Sequence, residues 1–181
     1  MPLILIVLSG LAFAGLHEFN LFAFADLSFN SHISAIYLPA FIRMLNVLVL
    51  GPLNGTLATG LGGLFILPFE QQFQAIELAN ITCSSLGPLS AMVIFRLSFA
   101  RSVQLSMTKD LLVLSLIYSL CNATLHHITW AFLDPHALVN PMQFFEMIFG
   151  DFTGTLAGSL LLKTFVKLPF IQKRIETMTK L

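Results

Sequence analysis

The sequence predicts an all-α membrane protein with about six transmembrane helices and both chain ends in the cytoplasm. The first observation is composition: 56% of the 181 residues are hydrophobic and 10% are charged, whereas about a quarter of the residues in a soluble domain are charged. The second is that apolar residues form runs approaching the ~20 residues that cross a bilayer. We therefore expect one transmembrane domain over 1–168 and a short basic cytoplasmic tail over 169–181.

Six apolar segments are predicted to cross or enter the membrane. They cover about residues 3–25, 33–50, 53–69, 73–98, 109–133 and 142–167, and are separated by DLSFNSH, GP, PFEQQ, SFARSVQLSMTK and DPHALVNP. These separators are rich in residues typical of turns. The first segment has no basic residue before it, so we expect an uncleaved helix rather than a signal peptide. The third is short and glycine-rich, so it is either a full span, a half-helix or a re-entrant element.

The third observation is the placement of lysine and arginine, which predicts the orientation. Eight of the nine basic residues lie near the loop between the fourth and fifth segments or towards the C-terminus: Arg96, Arg101, Lys109, Lys163, Lys167, Lys173, Arg174 and Lys180. The loops on the other side carry Asp26, Glu70 and Asp134 but no basic residue. Because positive charge is retained on the cytoplasmic side, this pattern places both termini inside a bacterial cytoplasmic membrane.

Arg43 is the ninth basic residue and lies near the centre of the second segment. An arginine there costs roughly 3 kcal/mol on insertion scales, so it must face protein or water. Two interpretations stay open. Arg43 either forms a structural ion pair within the bundle or binds an anion or carboxylate of a ligand.

Other polar residues recur at three- and four-residue steps, as on the inward faces of a helix bundle. The predicted polar cluster consists of Arg43, Asn46, Glu77, Asn80, Asn122, His126, Glu146 and Asp151. On the sixth segment the inward stripe is predicted to run through Gln143, Glu146, Gly150 and Thr153, with Asp151 beside it. In the predicted orientation the cluster extends from the midplane outward, whereas the inner halves are nearly apolar. This indicates a pocket open to the outside rather than a continuous ion path.

No pattern predicts a metal site, a cofactor or catalysis. Adjacent histidines point about 100° apart on a helix, so His126 and His127 are not a metal pair. We expect His126 to bond in the pocket and His127 to lie at the membrane interface beside Trp130. Cys83 and Cys121 are expected to be packing residues. The chain has zero net charge and no catalytic or phosphate-binding motif, so we expect neither enzyme activity nor a nucleic-acid partner.

The phrase G-x-x-x-G-T-L-A occurs twice, in GPLNGTLATG at 51–60 and GDFTGTLAGS at 150–159. Glycines at this spacing let helix backbones approach closely. The predicted packing positions are Gly51, Gly55, Gly150, Gly154 and Gly158. We expect the third and sixth helices to pack together here and to hold Arg43 against Asp151.

Two stretches resemble bacterial MASE-type membrane-associated sensor domains. IYLPAFIRMLNVLVLGPLNGTLATGLGGLFI is similar to a region of that family in which a proline-containing turn precedes a leucine-rich helix, a glycine and a helix of small residues. FEMIFGDFTGTLAGSLLL resembles the closing helix with its G-D-x-x-G pattern, matched by Gly150, Asp151 and Gly154. The resemblance implies a sensory module.

A second resemblance competes with the first. LGPLNGTLATGLGGLF is similar to the L-G-P-x-x-G-A-L-x-G run of the substrate-binding subunits of energy-coupling-factor vitamin transporters. Those subunits have six helices, both ends inside and a pocket that opens outward. The resemblance implies that Arg43, Asn80, Asn122, His126 and Glu146 contact the solute.

The leading functional hypothesis is a membrane binding or sensory module with an outward-facing polar pocket. It would take a small-molecule ligand and act through a membrane protein partner or as a homo-oligomer. The importer subunit is the first alternative. A structural accessory subunit, whose polar residues bond only to one another, is the second.

Overall fold

The structure, a computed structural model, describes residues 2–29, 33–69, 75–105, 107–133 and 140–166. The described chain is all-helical, which confirms the all-α part of the predicted fold class. Its helices are α1 (Pro2–Ala23), α2 (Pro39–Leu50), α3 (Pro52–Ile66), α4 (Ala75–Phe99), α5 (Thr108–Leu133) and α6 (Pro141–Val166). Short 3-10 helices cover Ala25–Leu27 and Leu67–Phe69, and an isolated antiparallel bridge joins Ser28 to Ser34. The predicted basic tail lies outside the described residues.

Within the part of the chain that the structure describes, three helices are long and apolar enough to cross a membrane: Leu3–Ala23, Ile76–Phe99 and Thr108–Leu133. They support a membrane protein. The sixth helix is as long as α5, at 26 residues, but its apolar sequence is interrupted by the charged residues Glu146, Asp151 and Lys163. The third segment forms one continuous helix of 15 residues, about 22 Å long at 1.5 Å per residue.

The second helix is shorter than predicted. Its 12 residues span about 18 Å, against a hydrocarbon thickness of about 30 Å. Residues 33–38 were included in the predicted segment but are not helical. The helix begins at Pro39 because proline suits the first helical turn, where its missing N–H costs no hydrogen bond.

Neighbouring helices form hydrogen bonds with the backbone of the non-helical stretch 33–38. The Tyr37 N–H donates to the Gly150 carbonyl on α6 at 3.1 Å. The Leu38 N–H donates to Asn20 Oδ1 on α1 at 2.9 Å. Since a buried backbone N–H needs a hydrogen-bond partner, these bonds to α1 and α6 make the non-helical stretch before α2 possible.

Helix α2 is central in the bundle, because it packs against α1, α3, α4 and α6. Around it, α1 packs on α3, α3 on α4, α4 on α5 and α5 on α6. An apolar cluster from α2, α4 and α5 fills the side towards the α4–α5 loop: Ala40, Met44, Ala91, Phe95, Leu114 and Tyr118. We call the end of the bundle at this loop the basic end, since Arg101, Lys109 and Lys163 lie there.

The glycines of the repeated phrase pack on α2 and on the stretch before it. Gly55 on α3 lies so close to Asn46 and Val47 that a Cβ there would overlap their backbone. The three α6 glycines and their neighbours are Gly150 with the Ser34 carbonyl, Gly154 with the Tyr37 carbonyl and Gly158 with the Phe41 ring. The predicted direct packing of α3 on α6 is wrong: the two helices pack on α2 from different sides.

Gly51 has a different role from the one predicted. A Cβ at this position would meet nothing within 4 Å, but its φ is +82°. Such a backbone conformation favours glycine. Gly51 is therefore a turn residue between α2 and α3 and not a packing position.

Candidate functional site

A cavity of about 210 Å³ lies at the end of the bundle opposite the basic end. Its walls come from the C-terminal parts of α1, α3 and α5, the N-terminal parts of α4 and α6, the stretch 33–38 and the middle of α2. The polar lining residues are His17, Asn20, Ser28, Ser34, Tyr37, Arg43, Thr59, Glu77, Asn80, Ser84, His126, Trp130 and Asp151. The cavity thus gathers polar groups from all six helices.

Arg43 is 6% exposed and is held between two aromatic rings. Its Cζ lies 5.0 Å from the ring centroid of Phe13 and 4.9 Å from that of Tyr37. Nη2 donates to the Tyr37 hydroxyl at 2.9 Å, whereas Nε has no hydrogen-bond partner. Cation–π contacts are strongest where water is excluded. The two rings therefore stabilise the buried charge and fix the position of the guanidinium.

The Tyr37 hydroxyl connects Arg43 with His17. It accepts from Arg43 and lies 2.9 Å from His17 Nδ1. A tyrosine hydroxyl can donate one hydrogen bond while it accepts another, so Tyr37 can hold Arg43 and His17 at the same time. The side chain of Tyr37 thus orients one residue from α1 and one from α2.

Asp151 is 3% exposed and is held by Asn122 on α5. Asn122 Nδ2 donates to Asp151 Oδ2 at 2.6 Å. Asn122 itself is closely covered by α4, since a Cβ on Gly87 would lie 2.8 Å from Asn122 Oδ1. A short bond to an ionised carboxylate is among the stronger hydrogen bonds in proteins, so Asn122 determines where Asp151 points.

Arg43 and Asp151 do not form the predicted direct ion pair. Among the described residues, the ion pair whose nitrogen and oxygen atoms lie within 4.0 Å of each other is formed by Arg101 and Asp110. Arg43 and Asp151 line the same cavity and interact electrostatically at longer range. Their positions follow from separate anchors, the aromatic rings for Arg43 and Asn122 for Asp151.

The α4 and α5 wall carries two short hydrogen-bonded chains. In one, Trp130 Nε1 donates to Asn80 Oδ1 at 2.7 Å and Asn80 Nδ2 donates to Glu77 Oε2 at 3.4 Å. In the other, His126 Nδ1 lies 2.9 Å from the carbonyl of the preceding turn and His126 Nε2 lies 3.4 Å from Ser84 Oγ. Since a carbonyl only accepts, Nδ1 carries the proton and Nε2 is free to accept from Ser84.

Not all of the predicted cluster lies in the cavity. The members that line it are Arg43, Glu77, Asn80, His126 and Asp151. Asn122 supports Asp151 from behind. Asn46 faces α3 instead, where its Nδ2 donates to Thr59 Oγ1 at 3.3 Å. Glu146 is half-buried and is not among the lining residues.

The inward face of α6 is rotated from the predicted stripe. Its buried residues are Met147, Gly150, Asp151, Gly154, Thr155, Gly158 and Ser159, whereas Gln143, Glu146 and Thr153 are only half-buried. The small residues cause the rotation, because Gly150 and Gly154 face the backbone that precedes α2 and Gly158 faces the Phe41 ring. The rotation therefore places Asp151 in the interior of the bundle and Glu146 at the side of this buried face.

His127 is buried beside Trp130, and its predicted position at the membrane interface stays a prediction. It is 6% exposed, with its ring centroid 5.0 Å from that of Trp130 and 5.2 Å from that of Phe144. Trp130 faces the cavity beside Asn80. Cys83 and Cys121 are free thiols packed between helices, as expected.

Sequence reasoning missed the contribution of α1 and of the stretch 33–38. His17 and Asn20 are three residues apart, and this spacing could have identified an inward polar stripe. Tyr37 gave no such signal, because it lies in a non-helical stretch where helical periodicity does not apply.

The basic end is closed by a hydrogen-bonded ion pair. Arg101 Nη2 donates to Asp110 Oδ1 at 2.6 Å, Nη1 donates to Oδ2, and the Gln104 N–H donates to the same carboxylate at 2.9 Å. The hydrogen bond to Asp110 raises the pKa of Arg101 above its ordinary value. This pair fixes the loop between α4 and α5.

Comparison of the chain with protein-family models, with curated proteins and with solved structures finds no match. Among the residues described, no three His, Cys, Asp or Glu side chains are grouped as a metal site requires. The residues that line the cavity offer fixed charge and hydrogen-bonding groups beside apolar side chains.

Proposed function

We propose that this chain is a multi-pass protein of the bacterial cytoplasmic membrane that binds a small solute in its cavity and signals or acts through partner proteins. The observation that supports this best is the convergence of buried polar side chains from all six helices on one cavity. Polar groups in a membrane protein concentrate where they serve a solute or ion.

The proposed topology has six crossing elements and both termini in the cytoplasm. Helices α1, α4 and α5 are apolar spans by themselves. The stretch 33–38 with α2, the short α3 and the long α6 supply the other three elements. The positive-inside rule then assigns the basic end to the cytoplasm and the cavity to the outer half.

The cavity favours binding over catalysis. Its volume of about 210 Å³ is below the roughly 300–1,000 Å³ of pockets for drug-sized ligands, so the solute is small. Ser84 and His126 contact each other at 3.4 Å, but a main-chain carbonyl orients His126 where a hydrolytic triad uses a carboxylate. Arg43 and Asp151 would fix the orientation of a solute.

Native mass spectrometry of the purified protein tests this proposal. We expect a small-molecule adduct on the wild-type protein and its loss in Arg43→Gln. Arg96→Gln, which alters an exposed arginine on α4, is the matched control and should keep the adduct. A wild-type protein that carries no solute and is not thermally stabilised by any member of a metabolite library would contradict the proposal.

A second candidate is the substrate-binding subunit of a vitamin-type importer. The position of the cavity in the proposed outer half, with an apolar cluster between it and the cytoplasm, favours this alternative over an accessory subunit. Co-purification with a larger membrane protein and ATPases would establish the importer. Solute binding without such partners would favour the sensory module.

A further inference from the structure

We propose that the solute is a small zwitterion with an apolar body, its acidic group at Arg43 and its cationic group towards Asp151. This inference rests on the proposed binding function and names the substrate class of the same cavity. It begins from two opposite charges, each more than nine-tenths buried, that line one cavity without forming an ion pair.

Both charged groups have hydrogen-bonding capacity to spare. Arg43 donates through Nη2 to Tyr37 and interacts with the Tyr118 hydroxyl, whereas its Nε has no hydrogen-bond partner. Asp151 accepts one hydrogen bond, from Asn122, whereas a carboxylate accommodates several. A solute with an acidic and a cationic group would bind the remaining N–H donors of Arg43 and the remaining acceptor sites of Asp151 at once.

Charge balance selects a zwitterion over a singly charged solute. Arg43 and Asp151 together carry no net charge, and Arg43 repels a second positive charge on His17 or His126. A monoanion or monocation would leave one uncompensated charge in a low-dielectric interior, which is costly. A zwitterion leaves none. Glu77 is half-buried in the first turn of α4 and bonded to Asn80, so solvent partly screens its charge.

The remaining walls define the body of the solute. Phe13, Ile81 and Met147 line the same cavity as the two charges. These side chains favour a short apolar group. Free amino acids with an apolar side chain combine this body with the two charges.

Binding measurements on the full-length protein in lipid nanodiscs test the inference with two matched sets of probes. One set is leucine, 4-methylpentanoate and 3-methylbutylamine, and the other is phenylalanine, 3-phenylpropanoate and 2-phenylethylamine. In each set the skeleton is shared and only the charges differ. We expect at least one of the two zwitterions to bind roughly 10- to 100-fold more tightly than its two analogues, as the loss of a hydrogen bond to a charged group predicts.

Two substitutions should reverse the preference. Arg43→Gln leaves Asp151 uncompensated, so the amine should bind as tightly as the zwitterion or more tightly. Asp151→Asn leaves Arg43 uncompensated, so the carboxylate should gain in the same way. Arg43→Lys keeps the charge and should keep the zwitterion preference, which provides a test if the glutamine variant does not fold. A merely structural role of either residue would lower all affinities without changing their order.

The inference is overturned if a singly charged analogue binds the wild-type protein as tightly as its parent zwitterion, or if neither zwitterion binds. An adduct of another charge class in native mass spectrometry would remove the zwitterion inference and leave the proposed function standing. The absence of any adduct and of any binding would remove both.

Discussion

Arg43 shows how a buried arginine is held without a carboxylate in contact. Placing an arginine at the centre of a membrane helix costs roughly 3 kcal/mol. A desolvated cation–π contact contributes about 2 kcal/mol, and a hydrogen bond to a charged group about 1.5–3 kcal/mol. Contacts with Phe13 and Tyr37 and the bond to the Tyr37 hydroxyl together offset the insertion cost. The charge of Arg43 thus remains available to a solute.

Phe13→Leu tests this account, since it removes one aromatic ring but retains most of the apolar volume. We expect a loss of about 2 kcal/mol in the free energy of unfolding and weaker solute binding. Phe22→Leu is the control, because Phe22 lies on the same helix and is 87% exposed. Chemical unfolding in detergent measures both variants, and equal losses would contradict the cation–π role of Phe13.

Asn122 and Asn46 provide a comparison between two buried amides. Asn122 donates to a carboxylate at 2.6 Å, whereas Asn46 donates to the Thr59 hydroxyl at 3.3 Å. We expect Asn122→Ala to cost about 3 kcal/mol, because it leaves Asp151 without a donor, and Asn46→Ala to cost about 1 kcal/mol. The unfolding free energies of the two variants decide this. A cost for Asn46→Ala equal to or above that of Asn122→Ala would be inconsistent with an ionised Asp151.

At the scale of the elements, the repeated phrase explains how a short central helix is held. Gly55 on α3 packs closely against the C-terminal half of α2, and Gly154 on α6 packs closely against the backbone that precedes α2. Thr153 Oγ1 also donates to the Ala35 carbonyl at 2.7 Å. The two copies therefore place Arg43 by fixing α2 from two sides.

Three Gly→Ala substitutions test this packing. Two should lower the free energy of unfolding, and the third, a control, should raise it. A Cβ at Gly154 would overlap the Tyr37 carbonyl, and one at Gly55 would overlap the Asn46 carbonyl, so each alanine should destabilise by about 1–3 kcal/mol. Gly15 on α1 has nothing within 4 Å of a Cβ. Gly15→Ala should instead stabilise by about 0.5–1 kcal/mol through helix propensity. Thermal unfolding compares the three, and a stable Gly154→Ala variant would exclude close packing at that position.

The sequence predicts most elements of this protein and part of its cavity. The polar stripes of α4 and α5 follow from helical periodicity, and Ser84, Ser119 and Asn122 are buried accordingly. The break before α2 could not be predicted, since distant residues such as Asn20 and Gly150 bond its backbone. The face of α6 was mispredicted because close backbone packing outweighed the periodicity of its polar residues.

At the scale of the whole molecule, the cavity and the packing of α2 are linked. Tyr37 contacts Arg43 at the cavity, and its N–H donates to Gly150 on α6. A solute that engages Arg43 would therefore act on the contact between the stretch 33–38 and α6. Helix α6 continues from there to Lys163 at the basic end, where Lys163 Nζ donates to Thr108 Oγ1 on α5. This gives a continuous structural route from the cavity to the proposed cytoplasmic face.

The orientation of the molecule can be tested with single cysteines at its two ends. Ser28 is exposed beside the cavity and Ser102 is exposed in the loop between α4 and α5. In a background where Cys83 and Cys121 are replaced by alanine, we expect a membrane-impermeant maleimide to label Ser28→Cys in intact spheroplasts. Ser102→Cys should react only after permeabilisation, because the positive-inside rule retains the basic end in the cytoplasm. The opposite labelling pattern would place the cavity on the cytoplasmic side and exclude the uptake of solute from outside.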